Sequence, residues 1–441
     1  MPDARPAPDE ILEPPAPALV LCPLGFERRA LLRFGKLPVV TTGPGAEAIR
    51  RAFAARERWP VPNPSLLILF GLAGGINPSI TVGCALVDAS TLAAFDPSGT
   101  RRARFVETRA PISTPEDKAR LRTATGADAV DTESAAFVEC AREARIPFAI
   151  VRGVGDAAGD TLPAEVARFV DAQGETRLSR VLGAVVRRPA LIRELRRLAR
   201  DSRTALRDAA FLADAFGALP AIALCSPSHP FLLFGGSFDP PHARHASILV
   251  EAMHALGAPC ATIMPAAINP LKCATPPAPP EARLALCRAA FREIDGATRG
   301  EIRLSRLELD REGPSYTIDT VERLLADHPH LRGAIRFLIG SDAIRSIERW
   351  HRWRELLELA QPAVVVRPPD THAATAQFLA EFAQASGFAD APSWLLDLQP
   401  VDLASTGIRE AIAQGQWPEG LPDAVFREIT TRGLYGSGGA R

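Results

Sequence analysis

Charge imbalance, paired cysteines and long apolar runs are all missing from this sequence. Lys plus Arg number 51, as do Asp plus Glu, so the formal net charge is zero and nothing favours wholesale nucleic-acid binding. The 7 cysteines stand isolated, which argues against a disulfide framework and a structural zinc site. No apolar run approaches the roughly 20 residues that span a bilayer. We expect a cytoplasmic protein with no membrane partner, no nucleic-acid partner and no metal site built by its own side chains.

Aromatic residues are also scarce, at 6% of the chain, whereas apolar residues are abundant. This balance is typical of an α/β protein built on Ala, Val and Leu. The length of 441 residues exceeds one ordinary core, so at least two domains are expected. Residues 1–17 are rich in proline and acid and do not have the pattern of a signal peptide. We predict a disordered tail there.

Short apolar runs alternate with helix-like stretches in both halves of the chain, which favours two mostly parallel sheets covered by helices. In residues 18–188 the predicted strands are Leu19–Leu21, Val39–Thr41, Leu66–Phe70, Ala85–Asp88 and Phe148–Val151. Residues 189–228 are predicted to form an arginine-rich helical extension and a linker. In residues 229–441 the predicted strands are 231–234, 261–264, 302–305, 335–339 and 363–366, and the predicted helices are 243–256, 281–293 and 317–326.

A glycine-rich turn follows the first strand of the second half. It contains Gly235, Gly236, Ser237 and Phe238, and two histidines, His242 and His245, come after it. The glycines let a ligand approach the backbone, and the N-terminus of the following helix attracts anions. Residues three apart lie on one face of a helix. The segment therefore predicts a turn that binds a polyphosphate.

Other polar segments follow in order along the second half. A loop after the second strand carries Lys272, and loops at the carboxyl ends of parallel strands bind ligands. The remaining candidates are Tyr316 and Thr317 at the start of a helix, Gly340 and Asp342 at the end of a strand, Trp350, and Ser405, Thr406 and Arg409 at the start of a late helix.

This ordered set, over residues 231–435, resembles the nicotinate-nucleotide adenylyltransferases. The resemblance implies a Rossmann-like nucleotidyltransferase domain with a parallel sheet. It also implies an enzyme of NAD biosynthesis that transfers the adenylyl group of ATP to nicotinate mononucleotide, giving nicotinate adenine dinucleotide and pyrophosphate. The sequence departs from the family at Arg244, where glycine is usual, and at Ala404, where serine is usual.

The resemblance also assigns roles. His242 and His245 would contact the triphosphate and Lys272 a substrate phosphate, while Ser405, Thr406 and Arg409 would hold ATP and Asp342 a ribose. Tyr316, Thr317 and Trp350 would form the nicotinate pocket, and Mg²⁺ would bridge the β- and γ-phosphates. The attacking phosphate is largely dianionic at neutral pH, so no general base is needed. Two alternatives stay open: a nucleotidyltransferase for another phosphate acceptor, and a nucleotide-binding sensor or scaffold whose catalysis has decayed.

A second constellation lies in the first half. Phe70–Gly75 ends a strand in small residues, Val130–Ala136 places acids before a helix, and Ile150–Asp156 ends a strand in a carboxylate. Over residues 18–210 the chain resembles the nucleoside phosphorylase and nucleosidase superfamily, and most of all the hopanoid-associated phosphorylases. This implies a phosphorylase/nucleosidase-like α/β domain that acts on an adenine nucleoside and forms homo-oligomers.

By this second resemblance, Asp156 would protonate the leaving purine, Glu133 would hold the ribose hydroxyls and Glu27 would orient the nucleophile beside Gly43 and Gly45. An acid near the leaving base is what the chemistry requires. Gly155 stands where nucleosidases usually have serine, and Thr132 often reads as methionine. Whether the nucleophile is water or phosphate stays open, as does the alternative that this domain binds or assembles without catalysis.

Overall fold

The computed structural model describes residues 9–88, 101–163, 165–268, 277–292, 298–400 and 405–439. The chain forms two compact units. The first unit is Ala16–Leu224, and the second combines the described residues of 1–15 with those of 225–441. None of the helices in the described ranges is long and apolar enough to cross a membrane.

The elements are numbered along the chain. The strands are β1 (Glu10–Glu13), β2 (Leu19–Cys22), β3 (Val39–Thr41), β4 (Leu67–Gly75), β5 (Ala85–Asp88), β6 (Arg101–Ala103), β7 (Phe105–Glu107), β8 (Ala129–Asp131), β9 (Phe148–Asp156), β10 (Phe231–Gly236), β11 (Cys260–Pro265), β12 (Glu301–Leu304), β13 (Ile335–Gly340) and β14 (Gln361–Val365). The helices are α1 (Gly25–Phe34), α2 (Ala46–Ala54), α3 (Pro115–Thr125), α4 (Ser134–Glu143), α5 (Leu178–Arg187), α6 (Leu191–Gly217), α7 (Ala243–Leu256), α8 (Pro280–Phe291), α9 (Thr317–Asp327), α10 (Ser341–Ile344), α11 (Trp353–Leu359), α12 (His372–Ser386), α13 (Ser405–Ala413) and α14 (Asp423–Arg432).

The sheet of the first unit has the order β3-β2-β4-β9-β5-β6, with β8 paired to β4 and β7 paired to β8. Strands β2, β3, β4 and β9 run parallel, and β5 is antiparallel to β9. The first residues of β4 and nearly all of β9 are buried, as expected for central strands covered on both faces. Their carboxyl ends, together with that of β2, lie at one edge of the sheet.

Helix α6 lies within the helical extension predicted for residues 189–228 and belongs to the first compact unit. Its apolar face packs in the same core as the buried residues of β4 and β9, through Leu206, Ala209, Ala210, Ala213 and Phe216. Gly153 of β9 lies so close to the helix that a Cβ there would be 2.6 Å from the carbonyl carbon of Ala205.

The sheet of the second unit has the order β1-β12-β11-β10-β13-β14. Strands β10 to β14 run parallel. Successive strands extend from β10 first to one side and then, with β13, to the other, so the direction of winding reverses between β10 and β13. In doubly wound sheets the crevice at such a reversal, outside the carboxyl ends of the strands, is where ligands bind.

The predicted disorder of residues 1–17 is wrong for the segment that forms β1. Residues 10–13 pair antiparallel with β12, Leu12 is buried in the core of the second unit, and Glu10 forms ion pairs with Arg288 at 2.6 Å and Arg292 at 2.8 Å. The proline-rich composition of the segment gave no indication of a strand. The strand forms because the sheet has an unpaired edge at β12, and Leu12 and Glu10 stabilise it there.

Candidate active sites

The turn after β10 is tied to the C-terminal part of the second unit. The Asp239 carboxylate accepts a hydrogen bond from the Tyr435 hydroxyl at 2.6 Å and from the Ala278 backbone N–H at 3.1 Å. Arg409 donates to the Asp239 carbonyl, and the Ser405 hydroxyl donates to the carbonyl of Pro240 at 3.0 Å. The start of α13 is therefore held against the turn that precedes α7.

His242 is the N-cap of α7 and is 1% exposed. In the part of the chain that the structure describes, neither ring nitrogen of His242 has a hydrogen-bond partner. Its ring lies 3.8 Å from that of His245, whose Nδ1 accepts the backbone N–H of His242 at 3.3 Å. Burial, together with the positive charges of Arg367 and Arg244, lowers the pKa of His242 to about 4. The imidazole is neutral, and its ring nitrogens lie beside the anion-attracting end of a helix.

The loops after β13 and β14 converge beside this helix end. The Ser341 hydroxyl accepts the backbone N–H of Arg367 at 3.0 Å, and the Arg367 guanidinium lies 3.4 Å from Asp342, whose side chain is 61% exposed. A Cβ on Gly340 would overlap both Asp342 and Arg367. A larger residue at the end of β13 would therefore have to displace the side chains of Asp342 and Arg367.

An aromatic group lies at the start of α9. The ring of Tyr316, the N-cap of α9, lies 4.5 Å from that of His351. The neighbouring Trp350 packs 6.1 Å from Phe337, and its indole Nε1 is buried without an acceptor among the described residues. A buried donor of this kind costs free energy unless an acceptor reaches it.

In the first unit, a cavity of about 960 Å³ lies at the carboxyl edge of the sheet. Glu27 of α1, Glu133 before α4 and Asp156 at the end of β9 line it, together with many apolar residues. Its volume is at the upper end of the range of small-molecule sites, roughly 300–1,000 Å³. The three acids predicted from the sequence are therefore brought to one cavity.

A fully buried arginine organises two of the acidic residues at this cavity. The Arg152 Nε donates to Asp131 at 2.9 Å and Nη2 to Glu133 at 2.8 Å. Arg152 Nη1 is buried and has no hydrogen-bond partner in the described ranges. The second carboxylate oxygen of Glu133 accepts the Gly45 N–H at 2.9 Å. Glu133 is thus fixed by a cation on one side and the start of α2 on the other.

Glu27 and Arg152 both lie close to Gly71. A Cβ on Gly71 would be 2.5 Å from Arg152 Nη1 and 2.6 Å from Glu27 Oε1, so only glycine fits. The Glu27 oxygens accept backbone N–H groups of Leu72 at 2.8 Å and Leu24 at 3.0 Å. Burial raises the pKa of Glu27 to about 8, although Arg152 opposes the rise. Glu27 can therefore gain and lose a proton near neutral pH.

Asp156 has a buried cation of its own. Lys118 of α3 is fully buried, and its Nζ contacts Asp156 Oδ2 and donates to the carbonyls of Ala157 at 2.6 Å and Asp160 at 3.0 Å. Burial raises the pKa of Asp156, while Lys118 lowers it. The lysine fixes the carboxyl group and the loop that follows β9.

Sequence comparisons match both units. The cytidylyltransferase-like family pattern matches residues 233–411 and the phosphorylase superfamily pattern residues 93–187. Probable nicotinate-nucleotide adenylyltransferases of Aeromonas salmonicida and Aeromonas hydrophila are 37% identical over 215 and 216 residues, covering 47% of this chain and 97% of each relative. The chain belongs to the nicotinate-nucleotide adenylyltransferase family. The second unit is called the adenylyltransferase domain below.

Solved structures match each unit at low identity. A 5′-methylthioadenosine/S-adenosylhomocysteine nucleosidase from Colwellia psychrerythraea is 16% identical, with 46% of this chain and 95% of its own covered and a TM-score of 0.33. A Plasmodium falciparum nicotinic acid mononucleotide adenylyltransferase is 14% identical, with 47% and 98% covered and a TM-score of 0.36. The sheet orders and the two family patterns confirm the predicted fold class: a phosphorylase/nucleosidase-like α/β unit and a Rossmann-like nucleotidyltransferase unit.

The structure brings most predicted residues of the adenylyltransferase domain to its carboxyl edge. Gly235 and Gly236 end β10, and His242 and His245 follow it. Gly340 ends β13, and Asp342 lies in α10 directly after it. Ser405 and Arg409 lie on α13, while Tyr316, Thr317 and Trp350 lie at and near the start of α9. Lys272, Ala404 and the side chain of Thr406 lie outside the described residues.

Two of the predicted nucleotide contacts, Ser237 and Phe238, also have structural roles. Phe238 is 2% exposed because its ring packs against Phe234 and Phe291 in the core, so only its backbone faces the turn. The Ser237 carbonyl accepts a hydrogen bond from buried Arg283 at 3.0 Å, and this bond stabilises the turn.

Sequence reasoning did not assign Arg152, Lys118, Arg367 or His351. A cation inside the apolar run of β9 was a usable signal for Arg152, because a charge in a buried strand requires partners. Lys118 gave no such signal, since α3 has a largely polar sequence. Arg367 and His351 reach their sites only through the arrangement of β13, β14 and α9.

Proposed function

We propose that the adenylyltransferase domain transfers the adenylyl group of ATP to nicotinate mononucleotide and releases pyrophosphate. The observation that carries this proposal is buried His242, whose two ring nitrogens lack partners in the described chain, at the N-terminus of α7 and at the reversal of the sheet. Such a group suits an anionic ligand that supplies the missing acceptor. The names of the relatives supply the substrate pair.

In this reaction a phosphate oxygen of nicotinate mononucleotide attacks the α-phosphorus of ATP. The bond from that phosphorus to the bridging oxygen breaks, and the electron pair leaves with pyrophosphate. Because the attacking phosphate is already largely dianionic, the protein transfers no proton. Its task is to position two anions and to stabilise charge on the leaving group. His242 would donate a hydrogen bond to that charge, with Arg367, Arg244 and Arg409 adding positive charge around it.

Mg²⁺ would enter with ATP, as part of the substrate. The described residues contain no group of three or more His, Cys, Asp or Glu side chains that could hold a metal ion. Mg²⁺ keeps several of its waters and is often bound through substrate phosphates. Its contribution would be to neutralise charge on the β- and γ-phosphates while the helix ends of α7 and α13 orient them.

Selection of the nicotinate ring would rest with Tyr316, Thr317 and Trp350. The Trp350 Nε1 donor lacks an acceptor in the described structure, and a hydrogen bond to a carboxylate is roughly twice as strong as one to a neutral acceptor. Nicotinate, which carries a carboxylate, would therefore bind better than the neutral amide.

The first unit carries a second candidate function, cleavage of the N-glycosidic bond of a purine nucleoside. The observation that favours it is the convergence of Glu27, Glu133 and Asp156 on one cavity, with buried cations fixing Glu133 and Asp156. Glu133 would bind ribose hydroxyls, and Asp156 would give a proton to the leaving base. Glu27 would orient the nucleophile.

Purified protein incubated with Mg-ATP and either nicotinate or nicotinamide mononucleotide tests the main proposal. We expect pyrophosphate and dinucleotide in equal amounts and a higher kcat/KM for nicotinate mononucleotide. Preference for the amide would contradict the assigned pocket. Turnover with only another phosphate acceptor would identify a different nucleotidyltransferase, and tight ATP binding without pyrophosphate release would identify a sensor.

A further inference from the structure

Helix α5 carries a stripe of exposed aliphatic side chains on the surface of the first unit. Leu178, Leu182 and Val186 are 71%, 65% and 80% exposed. Residues four apart lie one above the other on a helix, so the three side chains form a stripe about 12 Å long. Another face of α5 already contributes to the core, because Ala184 is buried in one cluster with Leu191. The stripe is therefore not used to pack the first unit.

The segment that contains the stripe is strongly basic. Residues 177–200 contain eight arginines and one carboxylate, Glu194, although the whole chain has no net charge. Three of the arginines form ion pairs. The other five are exposed and pair with no carboxylate among the described residues: Arg180, Arg187, Arg193, Arg196 and Arg200. Unbalanced positive charge is thus concentrated on α5 and the first half of α6.

The arginines lie beside the aliphatic side chains and not at random. At about 100° per residue, Arg180 and Arg187 fall on one line along the exposed side of α5, separated from the stripe by small residues only. The first half of α6 repeats the combination, because exposed Ile192 is followed by exposed Arg193 and Arg196. The stripe, the side chain at position 192 and the five unpaired arginines are called the basic-apolar patch below.

We propose that the basic-apolar patch binds the protein to the surface of an anionic lipid bilayer. A helix of this composition lies in the plane of the interface, with its aliphatic side chains at the acyl boundary and its cations near the lipid phosphates. Arginine stems are long enough to reach the phosphates while the helix lies flat. Such binding needs no membrane-spanning helix. The proposal replaces the expectation of no membrane partner, which rested only on the lack of a spanning run.

A second copy of the chain suits the patch less well than a lipid surface. A symmetric contact brings identical patches together, so the unpaired arginines of both copies would face each other. The carboxylate within the segment, Glu194, already contacts Arg188 and is not available to balance them. Three aliphatic side chains also bury much less than the roughly 800 Å² per partner of a standard interface.

Nucleic acid also suits the patch less well. Its phosphates would pair with the arginines, but the aliphatic stripe would then lie against a charged backbone or remain in water. An anionic bilayer offers both components in the right order, because phosphates lie above acyl chains. The combination of an aliphatic stripe with flanking cations therefore favours lipid.

The patch can be altered without altering the first-unit cavity. Val181 of α5 and Leu195 of α6 line that cavity, whereas the stripe faces solvent on the same two helices. The proposal is thus independent of the reactions proposed for either unit, and its test needs no substrate.

Flotation of the purified full-length protein with lipid vesicles tests the proposal. One set of vesicles is phosphatidylcholine alone, and the other contains roughly a third of phosphatidylglycerol, an anionic lipid. At roughly 0.1 M salt we expect binding to the anionic vesicles to be stronger by about tenfold or more. At roughly 1 M salt most of this binding should be lost, because the screening length falls to about 3 Å. Equal binding to both sets, or binding to neither, would overturn the proposal.

One variant tests the aliphatic stripe. The triple substitution Leu178→Gln, Leu182→Gln, Val186→Gln keeps every arginine, and we expect it to weaken binding to anionic vesicles by about tenfold or more. Phe211→Gln, at an exposed apolar position in the second half of α6, is the control and should bind within about twofold of the unaltered protein. Circular dichroism spectra verify that both variants are folded. Full binding by the triple variant would overturn the role of the stripe and with it the proposal.

A second variant tests the cations. Arg180→Gln with Arg187→Gln keeps the stripe, and we expect it also to weaken binding to anionic vesicles by about tenfold or more. Arg50→Gln, which removes an exposed arginine of α2 that is paired with Glu139, is the control and should leave binding within about twofold. Undiminished binding by the double variant would contradict the assignment of an anionic surface.

Two further measurements identify the other occupants. A dimer in sedimentation velocity that the triple variant abolishes, without binding to vesicles, would make the patch a contact between copies of this chain. Binding of a single-stranded RNA probe that the double arginine variant abolishes, without binding to vesicles, would make it a nucleic-acid surface. Either result would overturn the lipid proposal.

Discussion

The two units differ in how their buried ionisable side chains are paired. In the adenylyltransferase domain, His242 is buried with neither ring nitrogen partnered among the described residues. In the first unit, Glu133 and Asp156 are also buried, but each is paired with a buried cation, Arg152 or Lys118. The adenylyltransferase site thus contains a buried imidazole without a partner, whereas the buried carboxylates of the first unit are paired, although Arg152 Nη1 there has no partner in the described ranges.

This difference indicates what each site is built to receive. An unpaired buried polar group is unfavourable until a ligand reaches it, so the adenylyltransferase site is poised for anionic phosphates. A site whose charges are already paired accepts a neutral ligand with little electrostatic rearrangement. This agrees with the two proposals made above, a nucleoside as ligand of the first unit and nucleotides as ligands of the second.

Replacing His242 should have the largest effect. We expect His242→Ala to lower kcat/KM for pyrophosphate release by about 10²–10³-fold, because one preorganised donor to the leaving group is lost. Pyrophosphate release under single-turnover conditions measures this effect. His254→Ala, at an exposed position of the same helix, is the control. Near-normal turnover of His242→Ala, with an unchanged circular dichroism spectrum, would show that the unpartnered histidine is not part of the chemistry.

Removal of Lys118, the cation that pairs with Asp156, should have the next largest effect. We expect Lys118→Met to lower the free energy of unfolding of the first unit at neutral pH by about 3–5 kcal/mol, because a buried carboxylate loses its partner. Denaturant unfolding measures the loss, and Lys36→Met, at an exposed position, is the control. The double variant Lys118→Met, Asp156→Asn should recover most of the stability. No recovery would mean that packing of the lysine stem, rather than charge pairing, is what is lost.

The same variant gives a pH dependence of known sign. Burial raises the pKa of Asp156 above its ordinary value of 3.8, and loss of Lys118 removes a group that lowers it. A carboxyl group with a raised pKa in the folded state binds more protons there than in the unfolded state, so its contribution to stability is present at low pH and is lost as pH rises through the folded pKa. The deficit of Lys118→Met should therefore be smaller near pH 4 than at neutral pH. A deficit independent of pH would contradict the charge argument.

The smallest expected effect on stability is that of a substitution at Gly155 of β9, and Gly153 of the same strand provides the comparison. A Cβ on Gly155 would meet only ordinary contacts, 3.5 Å from Leu72 and 3.8 Å from Ser202. Gly155→Ser, which restores the residue usual in nucleosidases, should therefore change stability by no more than about 0.5 kcal/mol. Gly153→Ser, two residues earlier, should cost about 1–3 kcal/mol by crowding Ala205 of α6. Equal unfolding midpoints for the two variants would show that α6 does not pack on β9 in this way.

Much of the fold could be predicted from the sequence because periodicity and turn residues are local signals. The strands around Leu19, Phe148 and Phe231 and the helix 243–256 were predicted within a few residues. The edge strand β1 could not be predicted, since its formation depends on an unpaired edge of β12 far along the chain. The packing of α6 against β4 and β9 could also not be predicted, because exposed arginines lie between its apolar residues in the sequence.

The residues of the candidate sites also include some that the sequence predicts and others that only the structure shows. Motif residues such as His242, Glu133 and Asp156 could be found from their position after apolar strands. Their partners Lys118 and Arg367 come from separate elements, and only folding brings them together. Phe238 belongs to the motif, yet its ring fills the core, because a short motif does not record which way a side chain points.

Strand β1 has a consequence for how the protein is made and divided. Its pairing partner β12 lies beyond the whole first unit, so the ribosome synthesises Ala16–Leu224 before the sheet that receives residues 10–13 exists. Until then the segment with Ile11 and Leu12 is free to pair with other edges. If the gene were divided after codon 224, the N-terminal fragment would contain β1 without its pairing partner β12. The C-terminal fragment would contain β12 with an unpaired edge. The adenylyltransferase domain therefore takes one of its strands from a segment that precedes the first unit in the chain.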